Sequence, residues 1–384
     1  MTTVLTRLLG EPVHNVGLIV GTSVIATITV LSLSKLAFSR SLPQKIIPSP
    51  RETQLPRLSK EEQEALPYPP DAFPGARDAV SPYGTIRVYE WGPETGRKVL
   101  LIHGISTPCV ALGGIARGLV EKGCRVMLFD LWGRGYSDMI DLPLDSRLYT
   151  TEILLAITSS SLPWTPGGFS LVGYSLGGGV AADFASYFPA MVNSLVLLAP
   201  AGLVRPYHYS WATRAAYKNP LPDSFLEWLT KRRMGGGSTY KPMTKTGDQD
   251  HPTTGEELKG NRDYKFESAV LTTNNSKSDV TVADVVQWQI NNHEGFIKSF
   301  MSSVRHASIE EKHETWTKLS TRKDKVLIIV GSTDPVIIAK ELHEDAGSTI
   351  GYDNLEWREI DSGHEFPVSK GDETVAVISE VWGL

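Results

Sequence analysis

The chain has 384 residues, 41% of them hydrophobic and 21% charged, with a formal net charge of -5. That length is enough for one large domain with additions or for two small ones, and the balance is that of an ordinary globular fold. It excludes the basic field with which nucleic-acid binders neutralise phosphates, and the two cysteines, Cys109 and Cys124, exclude a disulfide framework and have no zinc-site spacing. No nucleic-acid partner is expected, and a reducing compartment is the easier fit.

After a tail of residues 1–12, no Asp, Glu, Lys or Arg interrupts the 22 residues from Val13 to Ser34. At a helical rise of about 1.5 Å per residue this crosses a hydrocarbon layer of about 30 Å. A membrane anchor is therefore expected over 13–38. The run exceeds the roughly 7–15 residues of a signal-peptide core, and no small-x-small cleavage site follows it. Lys35, Arg40, Lys45 and Arg51 follow the run, whereas only Arg7 precedes it, so the positive-inside rule puts the C-terminal bulk in the cytosol. Asn274-Asn275-Ser276 is a glycosylation acceptor pattern that would matter only in a secretory lumen, and it is common by chance. Residues 39–82 carry prolines from Pro43 to Pro82 and read as a stiff tether or a wrapping arm.

From Tyr83 the pattern becomes strand, loop, helix, repeated. Strands are expected at 85–91, 98–103, 125–130, 169–174, 194–199, 325–330 and 355–360. Most of these runs are apolar throughout, as in a parallel sheet covered on both faces. Helices are expected at 111–123 and 177–188, so the core over 83–202 is α/β. More than a hundred residues then separate two strands, too many for an ordinary crossover. Helical runs at 223–234 and 282–304 make 203–318 an inserted cap, and 319–384 completes the core.

Gly173-Tyr174-Ser175-Leu176-Gly177 fits G-x-S-x-G between a strand and a helix, the context in which a serine hydroxyl is projected from a sharp turn. The bland alternative is a small-residue corner with an incidental serine. A serine needs a base, and the base needs an orienting acid. His364, in "IDSGHEF", and Asp334, past "KVLIIVGST", lie at the carboxyl ends of later strands and so on the same edge of the sheet. Asp334 could instead cap the helix of "PVIIAKELHEDAG", leaving Asp361 to orient His364. His103, Asp130 and Arg134 read as supports of their turns.

These motifs resemble the α/β-hydrolases of the capped, esterase-like branch from about residue 83 to the end. "LLIHGIS" resembles that family's oxyanion turn, "FDLWGRGYS" its D-x-x-G-x-G-x-S turn, and "GSTDPV" and "DSGHEF" its acid and histidine loops. The resemblance implies a catalytic triad of Ser175, Asp334 and His364, with the Ile105 and Leu176 N–H groups as oxyanion hole. It implies a mostly parallel sheet and no cofactor.

Metal hydrolysis lacks its motif, because no second histidine follows His293, His313, His343 or His364 at H-E-x-x-H spacing. The expected reaction is hydrolysis of an ester, lactone or thioester of a hydrophobic small molecule through an acyl-enzyme. C–C hydrolysis of a diketone-like substrate is the alternative. Members with that activity often follow the histidine with tryptophan, where this chain has Glu365. Acyl transfer to an alcohol is not separable by sequence, and a ligand-binding receptor on the same fold would not need the intact triad. In the cap, Trp211, Trp228, Trp288 and Phe296 are expected mainly to pack between helices, and Arg232 and Arg233 to lie at a solvated helix end.

Overall fold

The apolar runs become the centre of an eight-stranded sheet in the computed structural model of the chain. The structure describes residues 20–30, 45–206, 223–235, 268–271 and 280–384, and it divides into two units, 1–45 and 46–384. The sheet strands are β1 (Ala76–Ser81), β2 (Gly84–Trp91), β3 (Lys98–Ile102), β4 (Arg125–Phe129), β5 (Phe169–Tyr174), β6 (Val192–Leu198), β7 (Val326–Gly331) and β8 (Leu355–Ile360). Their spatial order is β8-β7-β6-β5-β3-β4-β2-β1. The pairs from β8 to β4 are parallel, and β2 pairs antiparallel with both β4 and β1.

Strands β5 and β7 are buried along their whole length, which is why their sequences show no alternation. The longer helices are α1 (Gly113–Glu121), α2 (Ser146–Thr158), α3 (Leu176–Tyr187), α4 (Asp223–Gly235), α5 (Val282–Asn292), α6 (Phe296–His306), α7 (Ala339–Ile350) and α8 (Gly371–Trp382). Helix α2 was not evident in the sequence. Its start is fixed by Asp145, whose side chain accepts from Arg147 N at 3.0 Å and Leu148 N at 3.2 Å.

Of the stiff tether or wrapping arm expected over 39–82, the residues from 46 onward follow the path of an arm and not of a tether. Ile46–Ile47 pairs antiparallel with Met139–Ile140, Tyr68, Ala72 and Phe73 are buried in the core, and Ala76–Ser81 is the edge strand β1. Proline suits this path, since extended chain can lay apolar side chains on a surface and pair at an edge without donating every N–H. The core therefore begins well before Tyr83. Among the described residues no helix is long and apolar enough to cross a membrane. The anchor expected at 13–38 lies mostly outside them, and only its residues 20–30 are described, as helix.

The helical run expected at 282–304 is two helices. His293 ends α5, and its Nδ1 accepts from Gly295 N at 3.1 Å while its Nε2 faces Ser137 O at 2.9 Å. The chain thus turns at His293-Glu294-Gly295 to reach the core. Trp211, Asn274 and residues 236–267 lie outside the described residues. Trp288 and Phe296 pack as expected, at 5% and 0% exposure, whereas Trp228 is 55% exposed and stacks on Phe225. The two ends of the insertion meet. Gly202 N donates to Ile309 O and Lys312 N donates to Gly202 O, both at 2.8 Å, and Val204 bridges Glu310.

Candidate active site

Ser175 stands between β5 and α3 with φ 53° and ψ -119°, one of three non-glycine residues with positive φ among those described. Such a conformation costs on the order of 1–3 kcal/mol and persists only where the surroundings enforce it. Here Ser175 N donates to Leu198 O at 2.9 Å, and Ser175 O accepts from Gly178 N at 2.8 Å and Ala201 N at 2.9 Å. Gly177 is required by close approach, because a Cβ there would press on the carbonyl oxygens of Ile102 and His103.

The structure brings Ser175, His364 and Asp334 together. Ser175 Oγ lies 3.1 Å from His364 Nε2, and His364 Nδ1 lies 2.8 Å from Asp334 Oδ2. A carboxylate only accepts, so Nδ1 carries the proton and Nε2 is left to accept from the serine hydroxyl. His364 is 2% exposed and Asp334 6%, so both are shielded from competing water. Asp334 makes the contacts of both a loop cap and a histidine partner at once. Its Oδ1 accepts from Val336 N at 2.7 Å and Ile337 N at 2.9 Å, holding the loop, while Oδ2 faces the histidine. Asp361 is exposed and meets Ser332 Oγ at 3.4 Å.

Two residues whose place the sequence did not reveal, Tyr174 and Glu365, steady the histidine loop. Tyr174 Oη donates to His364 O at 2.9 Å. Glu365, 6% exposed, accepts from Ser362 Oγ at 2.9 Å and Gly363 N at 3.2 Å. In the sequence Glu365 is only a departure from tryptophan, and the signal for it is its place in the motif itself.

Leu176 is the first residue of α3, so its N–H is one of the donors a helix leaves without an intrahelical partner. Ile105 lies in the turn after β3. That turn runs beside the serine, since a Cβ built on Gly104 would sit 3.4 Å from Ser175 Cβ. His103 Nε2 accepts from Leu131 N at 2.9 Å, which leaves Nδ1 to donate to Gly104 O at 2.7 Å. Burial, aided by the nearby Arg134 charge, lowers the pKa of His103 to about 3. It is a neutral brace between two turns and not a second base. Asp130 takes Cys109 N and Tyr136 N, each at 2.9 Å, and burial raises its pKa. Arg134 Nε donates to Ile105 O at 3.0 Å. Both support turns, as expected.

Chemically, a hydroxyl aimed at a neutral imidazole nitrogen, with a carboxylate behind the ring, can add to a carbonyl carbon and pass its proton to the ring. Backbone N–H groups on either side of the serine are the type of donor that stabilises the resulting oxyanion.

The model of the family described as serine aminopeptidase, S33 (Hydrolase_4), matches residues 93–353. A serine hydrolase-like protein of Dictyostelium discoideum is 29% identical over 145 residues, 35% of this chain and 39% of that protein. The chain thus matches well under half the length of such curated relatives. Among solved structures, a bacterial membrane phospholipase A aligns with TM-score 0.54 and 16% identity over 96% of this chain and 97% of its own. A meta-cleavage product hydrolase from Pseudomonas fluorescens aligns with TM-score 0.52 and 18% identity over 80% of this chain and 97% of its own. At such identities these two likenesses speak to the fold.

Proposed function

This chain belongs to the serine aminopeptidase S33 family, Hydrolase_4, and is a hydrolase with the α/β-hydrolase fold; on that premise we propose that it cleaves an ester, lactone or thioester of a hydrophobic small molecule through an acyl-enzyme on Ser175. The observation that carries this reading is the chain of contacts from Ser175 Oγ to His364 Nε2, 3.1 Å, and from His364 Nδ1 to Asp334 Oδ2, 2.8 Å. In the proposed cycle Ser175 Oγ attacks the carbonyl carbon and His364 takes its proton. The Ile105 and Leu176 N–H groups hold the oxyanion. His364 then protonates the leaving group, and a water activated by the same nitrogen releases the acid. No cofactor takes part.

An ester series of increasing acyl length, assayed on protein lacking residues 1–44, should show kcat/KM rising with each methylene by up to the equivalent of about 0.8 kcal/mol, until the pocket is full. Diketones should be cleaved far more slowly. Flat efficiency across the series with a vinylogous diketone as the better substrate would replace this reading by C–C hydrolysis, the activity named for the Pseudomonas fluorescens neighbour. Hydrolysis of aminoacyl arylamides above that of all esters would replace it by the peptidase chemistry in the family's description.

The N-terminal run is proposed as a membrane anchor that leaves the catalytic unit on the cytosolic side. Along its described part, Val20, Val24, Ile25, Ile28 and Val30 are exposed. The hydroxyls of Thr27 and Thr29 fold back onto the carbonyls of Ser23 and Ile25 at 2.8 and 2.7 Å, which satisfies them without water. Full-length protein should resist alkaline extraction from membranes while protein lacking residues 1–44 is released, and protease added to sealed microsomes should digest the catalytic unit. Extraction of the full-length protein would remove the anchor. Protection from the protease would reverse its orientation.

A further inference from the structure

The turn that carries Ile105 has three successive carbonyls, and each accepts from a side chain. Gly104 O accepts from His103 Nδ1 at 2.7 Å, Ile105 O from Arg134 Nε at 3.0 Å, and Ser106 O from Gln289 Nε2 at 2.9 Å. In a planar trans peptide the carbonyl of one residue and the N–H of the next point in opposite directions. Clamping Gly104 O therefore aims Ile105 N–H, and clamping Ile105 O and Ser106 O removes the freedom of the two peptide planes that follow. Together these donors fix where the Ile105 N–H points.

The donors come from different parts of the chain. His103 belongs to the turn itself, but Gln289 comes from cap helix α5. Gln289 is completely buried, and its Oε1 accepts from Gly135 N at 2.9 Å. One amide thus ties the turn after β3 to the turn after β4. Arg134 is also held by the cap. Its Nη2 donates to Ser303 Oγ of α6 at 2.9 Å, and its Nη1 donates to Trp132 O at 3.0 Å and to Ser299 Oγ. Ser303 Oγ is fixed in turn by Tyr149 Oη at 2.7 Å. Every polar atom of the Gln289 side chain has a defined partner, so a shift of α5 or α6 would be felt at Ser106 and Ile105.

We propose that Gln289 and Arg134 are positioning residues for hydrolysis, through which the docked cap holds the Ile105 N–H on the developing oxyanion. The cap is then part of the transition-state machinery as well as the wall of the pocket. This rests on the reading of Ile105 and Leu176 as oxyanion donors.

The test compares Gln289→Leu, which loses both hydrogen bonds, with the isosteric Gln289→Glu, which keeps the acceptor for Gly135 N but, when ionised, cannot donate to Ser106 O. Each is assayed with a short-chain p-nitrophenyl ester, with kcat taken per fluorophosphonate-titrated site so that unfolded protein is not counted. Loss of a whole oxyanion donor costs about 10²–10³ in kcat, so a displaced one should cost roughly tenfold or more with KM nearly unchanged. A trifluoromethyl ketone supplies the second readout. Ser175 Oγ adds to its carbonyl carbon, the hydroxyl proton passes to His364, and the carbonyl oxygen becomes an oxyanion. Its affinity should fall by the same factor as kcat, while affinity for the product acid stays constant.

A purely structural Gln289 would lower thermal stability and leave both readouts unmoved. Should Gln289→Leu not fold, Gln289→Glu and Ser303→Ala decide the matter by the same two readouts. Unchanged kcat per site, or a loss of kcat without the parallel loss of ketone affinity, overturns the proposal. Ser175→Ala run alongside separates the two failures. If it turns over the ester as the wild type does, the acyl-enzyme reading has failed. If it is inactive while the Gln289 variants are unimpaired, only the role of the cap has failed.

Discussion

Ser175→Ala is expected to lower turnover by roughly 10⁴- to 10⁶-fold and to abolish fluorophosphonate labelling, with the fold retained. The size follows from the proposed division of labour, in which one Oγ forms the covalent intermediate and His364 and Asp334 act only through it. The fold should survive because alanine has the same Cβ as serine and meets the φ of 53° with the same strain. The backbone bonds to Leu198 O and from Ala201 N do not involve the hydroxyl. Labelling, turnover and thermal unfolding on the same preparation check this. Label that persists on another serine would move the nucleophile elsewhere.

Asp334→Asn is expected to cost about 10⁴-fold in kcat/KM, and Asp361→Asn less than twofold. An asparagine at 334 can keep its oxygen on Val336 N and Ile337 N, the two bonds that hold the loop. Its amide nitrogen then faces His364 Nδ1 and donates to it. The ring must accept there, so its proton moves to Nε2 and the base that serves Ser175 is lost. Asp361 is exposed and touches Ser332, so its charge can go with little consequence. Steady-state kinetics of both variants across pH make the comparison. A larger loss at Asp361 would show that the acid lies in the histidine loop itself.

Much of the site was legible because its chemistry is local. Ser175 and Asp334 each follow a buried strand within a few residues, His364 follows the half-buried edge strand β8, and small residues and turns mark each place. The strands were legible for a related reason, since β5 and β7 have no solvent face and carry no charged residue. Strand β1 was missed because it is the opposite case. It pairs on one side only, leaves Asp78 and Val80 exposed and three more residues half-buried, and buries Ala79 alone between Pro74 and Pro82. Gln289 left no mark at all. Its partners Ser106 and Gly135 are 183 and 154 positions away, and a glutamine in a helix is otherwise unremarkable. Nothing local distinguishes a buried bridging amide from a solvated one.

The closed neck of the insertion bears on how this chain can diverge. Because Gly202 pairs with Ile309 and Lys312, and Val204 with Glu310, the ends at 205 and 308 are held side by side whatever lies between them. Lengthening a segment whose ends are already joined costs only about 0.6 kcal/mol per doubling. Insertions and deletions within it are therefore expected to leave the sheet register untouched, so that the length of the segment can drift. Two windows resist that drift, α5 and α6, where Gln289, Ser299 and Ser303 reach the core. A graft of another cap onto this neck would need a matching donor for Ser106 O before it could inherit the turnover of its host.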